Sequence, residues 1–168
     1  TDCGGLALGS FTRNIWFIDN EIYNSSGSGV LIGGCGAFRP LPIAPEKIYV
    51  ARNHIHEMRQ SGVAAKEGYN IVFSQNKIHD IISRVGSSVS KGMSWQFDPQ
   101  NLWFMFNEIY NCTQGYYSGS STFPGPVYTY IIGNLIYDYK PSISSTGAAI
   151  QSGSITSTYV IGNTIQSY

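Results

Sequence analysis

In six short stretches of the chain, apolar residues occupy every second position, and each stretch leads into an Asn. Positions five and three before that Asn hold Ile15/Phe17, Ile48/Val50, Ile71/Phe73, Leu102/Phe104, Thr129/Ile131 and Thr158/Val160. A period of two puts one set of side chains on one side of an extended strand, so these pairs are predicted to face a core. The Asn residues are Asn20, Asn53, Asn76, Asn107, Asn134 and Asn163, spaced by 33, 23, 31, 27 and 29 residues. Each is followed two positions later by an inward Ile, from Ile22 to Ile165. A third strand-like piece then begins at a Gly: Gly5-Leu-Ala-Leu, Gly29-Val-Leu-Ile, Gly62-Val-Ala-Ala, Gly92-Met-Ser-Trp, Gly115-Tyr-Tyr-Ser and Gly147-Ala-Ala-Ile.

Self-similarity at such a period marks stacked units that share one core. Three strands in each of six units predict an all-β parallel β-helix about six rungs tall, roughly 29 Å at ~4.8 Å per rung. The Asn is expected at the tight corner between the second and third strands, in left-handed backbone, its amide bonding to the Asn above and below. It is read as a ladder and not as a site. Short strands between turn signals would also suit an antiparallel β-sandwich, but the equal placement of Asn, Ile and Gly in every copy argues against it.

The repeat, covering roughly residues 5 to 166, resembles the right-handed parallel β-helix of the pectin-lyase-like superfamily, whose coils typically read N-x-I-x-x-N-x-I. That superfamily includes polysaccharide lyases, glycoside hydrolases, epimerases, phage tailspikes and adhesins, so the resemblance implies a fold more than a reaction.

Formal net charge is zero, 12% of residues are charged and no basic run occurs, which excludes an ordinary nucleic-acid partner. No stretch approaches the ~18 apolar residues of a membrane span. The odd set Cys3, Cys35 and Cys112 reads as buried free thiols rather than a disulfide framework. Asn24-Ser-Ser and Asn111-Cys-Thr are glycosylation triplets at equivalent places in their repeats. Residues 1–168 are read as a single β-helix domain of a secreted or cell-surface protein. The first strand appears by Gly5 and the last motif ends at Gln166, leaving no room for a cap, so a longer parent chain or end-to-end stacking is expected.

In a stack, equivalent outward positions form columns. Four before the Asn stand Trp16, Tyr49, Val72, Trp103, Tyr130 and Tyr159; two later stand Ile18, Ala51, Ser74, Met105, Ile132 and Ile161. A sheet wet on one face should alternate apolar with polar. This one is apolar on both, so Trp16, Tyr49, Trp103, Tyr130 and Tyr159 are read as an assembly face for another chain or a neighbouring domain, with sugar stacking as the alternative. Three after the Asn stand Tyr23, His56, His79, Tyr110, Tyr137 and Gln166, with His54 also outward and Glu57 and Asp80 next in line. No third ligand appears at an obvious metal spacing, so a stacked surface column is expected, with no metal and no cofactor.

Lyases of the resembled superfamily place catalytic groups on the Gly-led strand and the corner after it. Outward positions there put Ser94 and Tyr117 in one column and Lys66, Gln96 and Gln151 in the next, with Glu67 and Asp98 just beyond. A lyase or epimerase needs a base for the C5 proton of a uronic acid and a cation for the enolate-like intermediate. Lys66 is the candidate cation, with Asp98 and Glu67 as the acidic candidates; Ser94, Gln96, Tyr117, Gln151 and Arg84 are candidate substrate contacts. Phe97-Asp98-Pro99 resembles the Phe-Asp-Pro-His segment of alginate C5-epimerases, but Gln100 replaces the His and Trp95 stands where that family has a Tyr. The Asp sets of Ca²⁺-dependent pectate lyases and of polygalacturonase-like hydrolases are missing. Insertions at 33–46, 80–91 and 119–127 flank the Gly-led strands, with Arg39, Arg84, Lys91 and Phe123 as their expected contact residues. Two functions therefore compete: polysaccharide engagement over the Gly-led sheet, as a binding surface or part of a lyase or hydrolase, and a non-catalytic fibre- or tailspike-like element held by the aromatic face.

Overall fold

The computed structural model describes residues 4–34, 42–83, 89–97, 99–119, 127–140, 147–153 and 156–167. Among them, eighteen strands form three parallel sheets of six. The Gly-led sheet stacks Leu6–Leu8, Val30–Ile32, Ser61–Ala65, Lys91–Trp95, Gln114–Ser118 and Ala148–Gln151 in that order. The aromatic sheet stacks Arg13–Ile18, Glu46–Ala51, Tyr69–Ser74, Gln100–Met105, Val127–Ile132 and Thr156–Ile161. The histidine sheet stacks Glu21–Ser25, His54–Met58, Lys77–His79, Glu108–Cys112, Leu135–Tyr139 and Thr164–Gln166. Each coil visits the three sheets in turn, which is the β-helix that the repeat predicts.

Register follows the motif. Ile15, Ile48, Ile71, Leu102, Thr129 and Thr158 pair rung to rung, as do Ile22, Ile55, Ile78, Ile109, Ile136 and Ile165. In the middle coils these side chains are sealed: Ile55, Ile78, Ile109 and Ile136 are all 0% exposed. Phe73 and Phe104 stack at 5.1 Å inside the coil, and the Trp95 indole N–H donates to the Tyr116 hydroxyl at 2.8 Å. Burial pushes the Tyr116 phenol up to about 12 and the Cys112 thiol up to about 12, so both stay protonated at neutral pH. Cys112 is a buried free thiol, as expected; Cys3 and Cys35 lie outside the described residues.

The Asn ladder closes on itself. From Asn53 to Asn163, each side-chain oxygen accepts from the backbone N–H and the amide of the Asn one coil before, at 2.8–3.0 Å throughout. From Asn53 to Asn163 the remaining amide hydrogen goes to a backbone carbonyl of the preceding coil, for example Asn107 to Phe73. The left-handed residue is the one before the Asn, not the Asn itself: Asp19, Arg52, Gln75, Phe106, Gly133 and Gly162 all have φ between 53° and 63°. The turn is made there, which leaves the Asn free to aim its amide along the stack.

The Gly column has a steric cause. A Cβ on Gly29, Gly62 or Gly92 would meet Cγ2 of Ile55, Ile78 or Ile109 at 2.2–2.4 Å, because the Ile of each coil packs onto the backbone of its own Gly-led strand. In the last coil the partner of Gly115 is Ala149, since Gln114 pairs with Ala148 and Tyr116 with Ile150. The alignment on Gly147 is therefore two residues out. Ile165, which would press on Ala149 there, is 48% exposed and less confined.

Candidate functional site

On the Gly-led sheet the outward column runs Leu31, Ala64, Ser94, Tyr117, Gln151. Gln151 thus stands above Tyr117 and not above Gln96, which corrects the column expected from Gly147. Beside it the Lys91 side chain lies across the sheet, with its ammonium 4.7 Å from the centre of the Tyr117 ring. Burial, and repulsion from Lys66, hold the Lys91 ammonium below its ordinary range. A cation on an aromatic face is stabilised by the ring quadrupole, which offsets part of that desolvation. The Gln114 amide donates to Gln151, and Ser61 and Ser94 share a hydrogen bond at 3.2 Å. Lys66, Lys91, Gln96 and Tyr117 remain partly accessible and Gln151 is exposed.

The candidate proton-transfer groups are placed differently. Glu67 is 2% exposed and Ser94 3%, so neither presents its polar atoms freely to a polymer. Trp95 points inward and is 0% exposed. Asp98 and Arg84 lie outside the described residues, as do Arg39 and Phe123. The Gly-led face therefore brings together Lys66, Lys91, Tyr117, Gln96 and Gln151. Lys91, a contact candidate of the second insertion, opens the strand next to the one that carries Tyr117, with Ser94 opposite Tyr117.

The aromatic column stacks in two groups. Trp103, Tyr130 and Tyr159 lie nearly parallel, with centroids 5.4 and 5.0 Å apart, while Trp16 meets Tyr49 edge-on at 5.7 Å. Rings stacked along the axis cover one another's faces and turn their edges to solvent. Trp16 is 73% exposed and Tyr159 45%.

The histidine sheet gathers more than the sequence suggests. Tyr23, His56, His79, Tyr110 and Tyr137 form a continuous stack with centroids 4.6–5.4 Å apart. Glu21 pairs with His54 in the adjoining outward column, and its Oε1 lies 3.3 Å from His56 Nε2 and 3.5 Å from His54 Nδ1. His79 Nδ1 is 2.8 Å from Asp80 Oδ2, and its Nε2 is 2.8 Å from His54 Nε2. Burial, with repulsion from His56 and His79, lowers the His54 imidazole below its ordinary value, against an opposing pull from Glu21. Desolvation pushes the Asp80 carboxyl up, but hydrogen bonds from Asn111 and His79 outweigh it and hold the group low. Glu21 escapes a reading of single columns; reading each outward column beside its neighbour, two residues away on the same strand, would have found it.

The match with known proteins follows the architecture. The crystal structure of the periplasmic alginate epimerase AlgG is similar to it, with a TM-score of 0.69 and 16% identity over 95% of this chain. A double mutant of that epimerase gives the same values. The chain spans 36% of the epimerase's length, and at this identity the likeness is one of fold. No curated protein sequence matches the chain. The right-handed β-helix region family matches residues 3–167, from the first Gly-led strand to the last Asn motif, and the chain belongs to that family.

Proposed function

We propose that the protein binds acidic polysaccharide along the outer face of the Gly-led sheet. The observation that carries this reading is Lys91, held over the Tyr117 ring with Lys66 close enough to repel it. A cation on an aromatic ring, a second cation on the same face and the amides of Gln96 and Gln151 are the groups a chain of uronates needs: charge for carboxylates, amides for hydroxyls, a ring for a sugar face. A carboxylate near the lysines offsets their repulsion, so zero net charge does not oppose a local anion-binding site. The shared fold with an alginate epimerase supports a carbohydrate ligand by analogy, and an exported location with it. The proposal is for binding rather than turnover, because the acidic candidate Glu67 is buried.

Titration calorimetry with alginate and polygalacturonate oligosaccharides, against a neutral glucan, tests it. Acidic oligomers should bind, more weakly as salt rises, and Lys91→Ala or Tyr117→Ala should each weaken binding about tenfold, the scale of one charge-assisted or cation–π contact. Equal affinity for the neutral glucan, or unchanged affinity in both variants, would contradict the proposal.

A second reading, self-association or docking of a neighbouring domain through the aromatic column, is favoured by the exposure of Trp16. Trp103→Asp should then abolish assembly in light scattering while leaving the coil intact.

A further inference from the structure

We propose that Glu21, His54 and His56 form a binding site for a divalent transition metal, Zn²⁺ foremost, on the outer face of the histidine sheet. The site arises from strand geometry. Residues two apart on a strand share a face, so Glu21/Tyr23, His54/His56 and Lys77/His79 make three neighbouring outward pairs on successive rungs. One ligand atom from each of Glu21, His54 and His56 lies within 4.8 Å of the other two.

Proton accounting shows why a cation belongs there. Asp80 is an acceptor, so His79 Nδ1 carries a hydrogen and donates to it at 2.8 Å. With that tautomer His79 Nε2 accepts, and His54 Nε2, 2.8 Å away, donates to it. His54 Nδ1 is then a bare lone pair, and it faces the Glu21 carboxylate at 3.5 Å. Two acceptors facing one another make a place that a cation can fill. His56 completes the set: its Nε2 is 3.3 Å from the same Glu21 oxygen, and its Nδ1 faces Glu57 at 3.7 Å. The Glu21 contact is a hydrogen bond, so Nε2 is the ring nitrogen of His56 aimed at the Glu21 carboxylate.

The distances suit the metal. Ligands 2.0–2.1 Å from a tetrahedral Zn²⁺ stand about 3.3–3.4 Å apart, close to the 3.3 and 3.5 Å from the Glu21 oxygen to the two imidazoles, whose own nitrogens lie within 4.8 Å of one another. His54 also has an outer partner of the kind that fixes the tautomer of a ligating histidine. That partner is the His79–Asp80 pair, and Asp80 is anchored in turn by Asn111. Lys77 is the nearest cation on this face, but its ammonium is directed over the Tyr110 ring at 5.8 Å, one rung further from Glu21. Two nitrogens and one carboxylate oxygen favour Zn²⁺, Cu²⁺ or Ni²⁺ over Ca²⁺ or Mg²⁺, and leave a fourth position to solvent.

The test is calorimetric titration of chelator-stripped protein with ZnCl₂, with Co²⁺ absorption as a second readout of coordination. The expected result is one saturable site per chain. His79→Phe keeps the aromatic stack but removes the outer partner, and should weaken Zn²⁺ binding about tenfold. Glu21→Gln should weaken it further and abolish the Zn²⁺-induced rise in melting temperature. Glu21 is a surface residue with a side chain 59% exposed, so that variant keeps the fold. Absence of saturable binding, or binding unmoved by Glu21→Gln, would overturn the proposal.

Discussion

The Asn ladder and the histidine–tyrosine column run side by side up the same stack, three residues apart in every coil, and they do opposite things. The ladder is buried, with Asn53, Asn76, Asn107 and Asn134 each 1% exposed, and its side-chain oxygens and amides are spent on one another and on the backbone. The histidine–tyrosine column stacks through its rings and turns its ring nitrogens and the Tyr137 hydroxyl sideways, to the side chains of Glu21, His54, Asp80 and Glu108 on the outer face. Repetition alone therefore does not distinguish structure from site. What distinguishes them is whether hydrogen-bonding capacity closes within the stack or points out of it. By that measure the ladder is architecture, and the outer faces of the histidine and Gly-led sheets are where ligands are to be sought.

The sharpest way to break the contrast is to delete a ladder residue. Asn107→Ala removes the acceptor for the backbone and side-chain N–H of Asn76 and the donor to the Phe73 carbonyl, all inside the stack. Orphaned buried groups cost about 1–3 kcal/mol each, so a loss of about 3 kcal/mol or more is expected in urea unfolding. A loss below 1 kcal/mol would show that the ladder is ornamental.

The apolar column behind it should follow burial. Ile109→Ala, at a sealed position beneath Gly92, should cost about 2–5 kcal/mol. Ile165→Ala, 48% exposed in the last coil, should cost under about 1.5 kcal/mol, as expected for half-burying such a side chain. Equal costs would mean that the last coil is packed as tightly as the middle ones.

Tyr110→Ala on the outward column removes two ring contacts, at 4.6 Å to His79 and 4.8 Å to Tyr137. Stacked pairs contribute about 0.5–1.5 kcal/mol each, so a loss of about 1–2 kcal/mol is expected. The smallest effect belongs to the Asp19–Arg52 pair, bidentate at 2.6 and 2.8 Å but exposed at the turn beside the ladder. Asp19→Asn should leave the urea midpoint where it is, even though the carboxyl is held low by its hydrogen bond to Arg52.

The fold was legible because the same three residue types recur with a common geometry. Asn satisfies its own neighbours, Ile fills the interior, and Gly admits the Ile methyl. The misplacement of Gln151 shows the limit of that legibility. Where Ile165 is less confined, Ala149 replaces the Gly, and the marker that sets register is lost. The left-handed turn residue was also hidden, because Asp, Arg, Gln, Phe and Gly all occupy it. Of the candidate sites, columns could be read from spacing. The burial of Glu67 and the reach of Lys91 could not, since both depend on side-chain paths across rungs. Glu21 was missed for a related reason: its partners are His54 one rung on and His56 on the diagonal.

Backbone amide shifts in an NMR titration with an oligomeric uronate test most directly the claim that the outward polar face of the Gly-led sheet is the glycan surface. The account predicts perturbations clustered on Lys91–Gln96 and Gln114–Ser118, with the ladder unmoved. Perturbations centred instead on Trp16, Trp103, Tyr130 and Tyr159, or none at saturating oligomer, would contradict it.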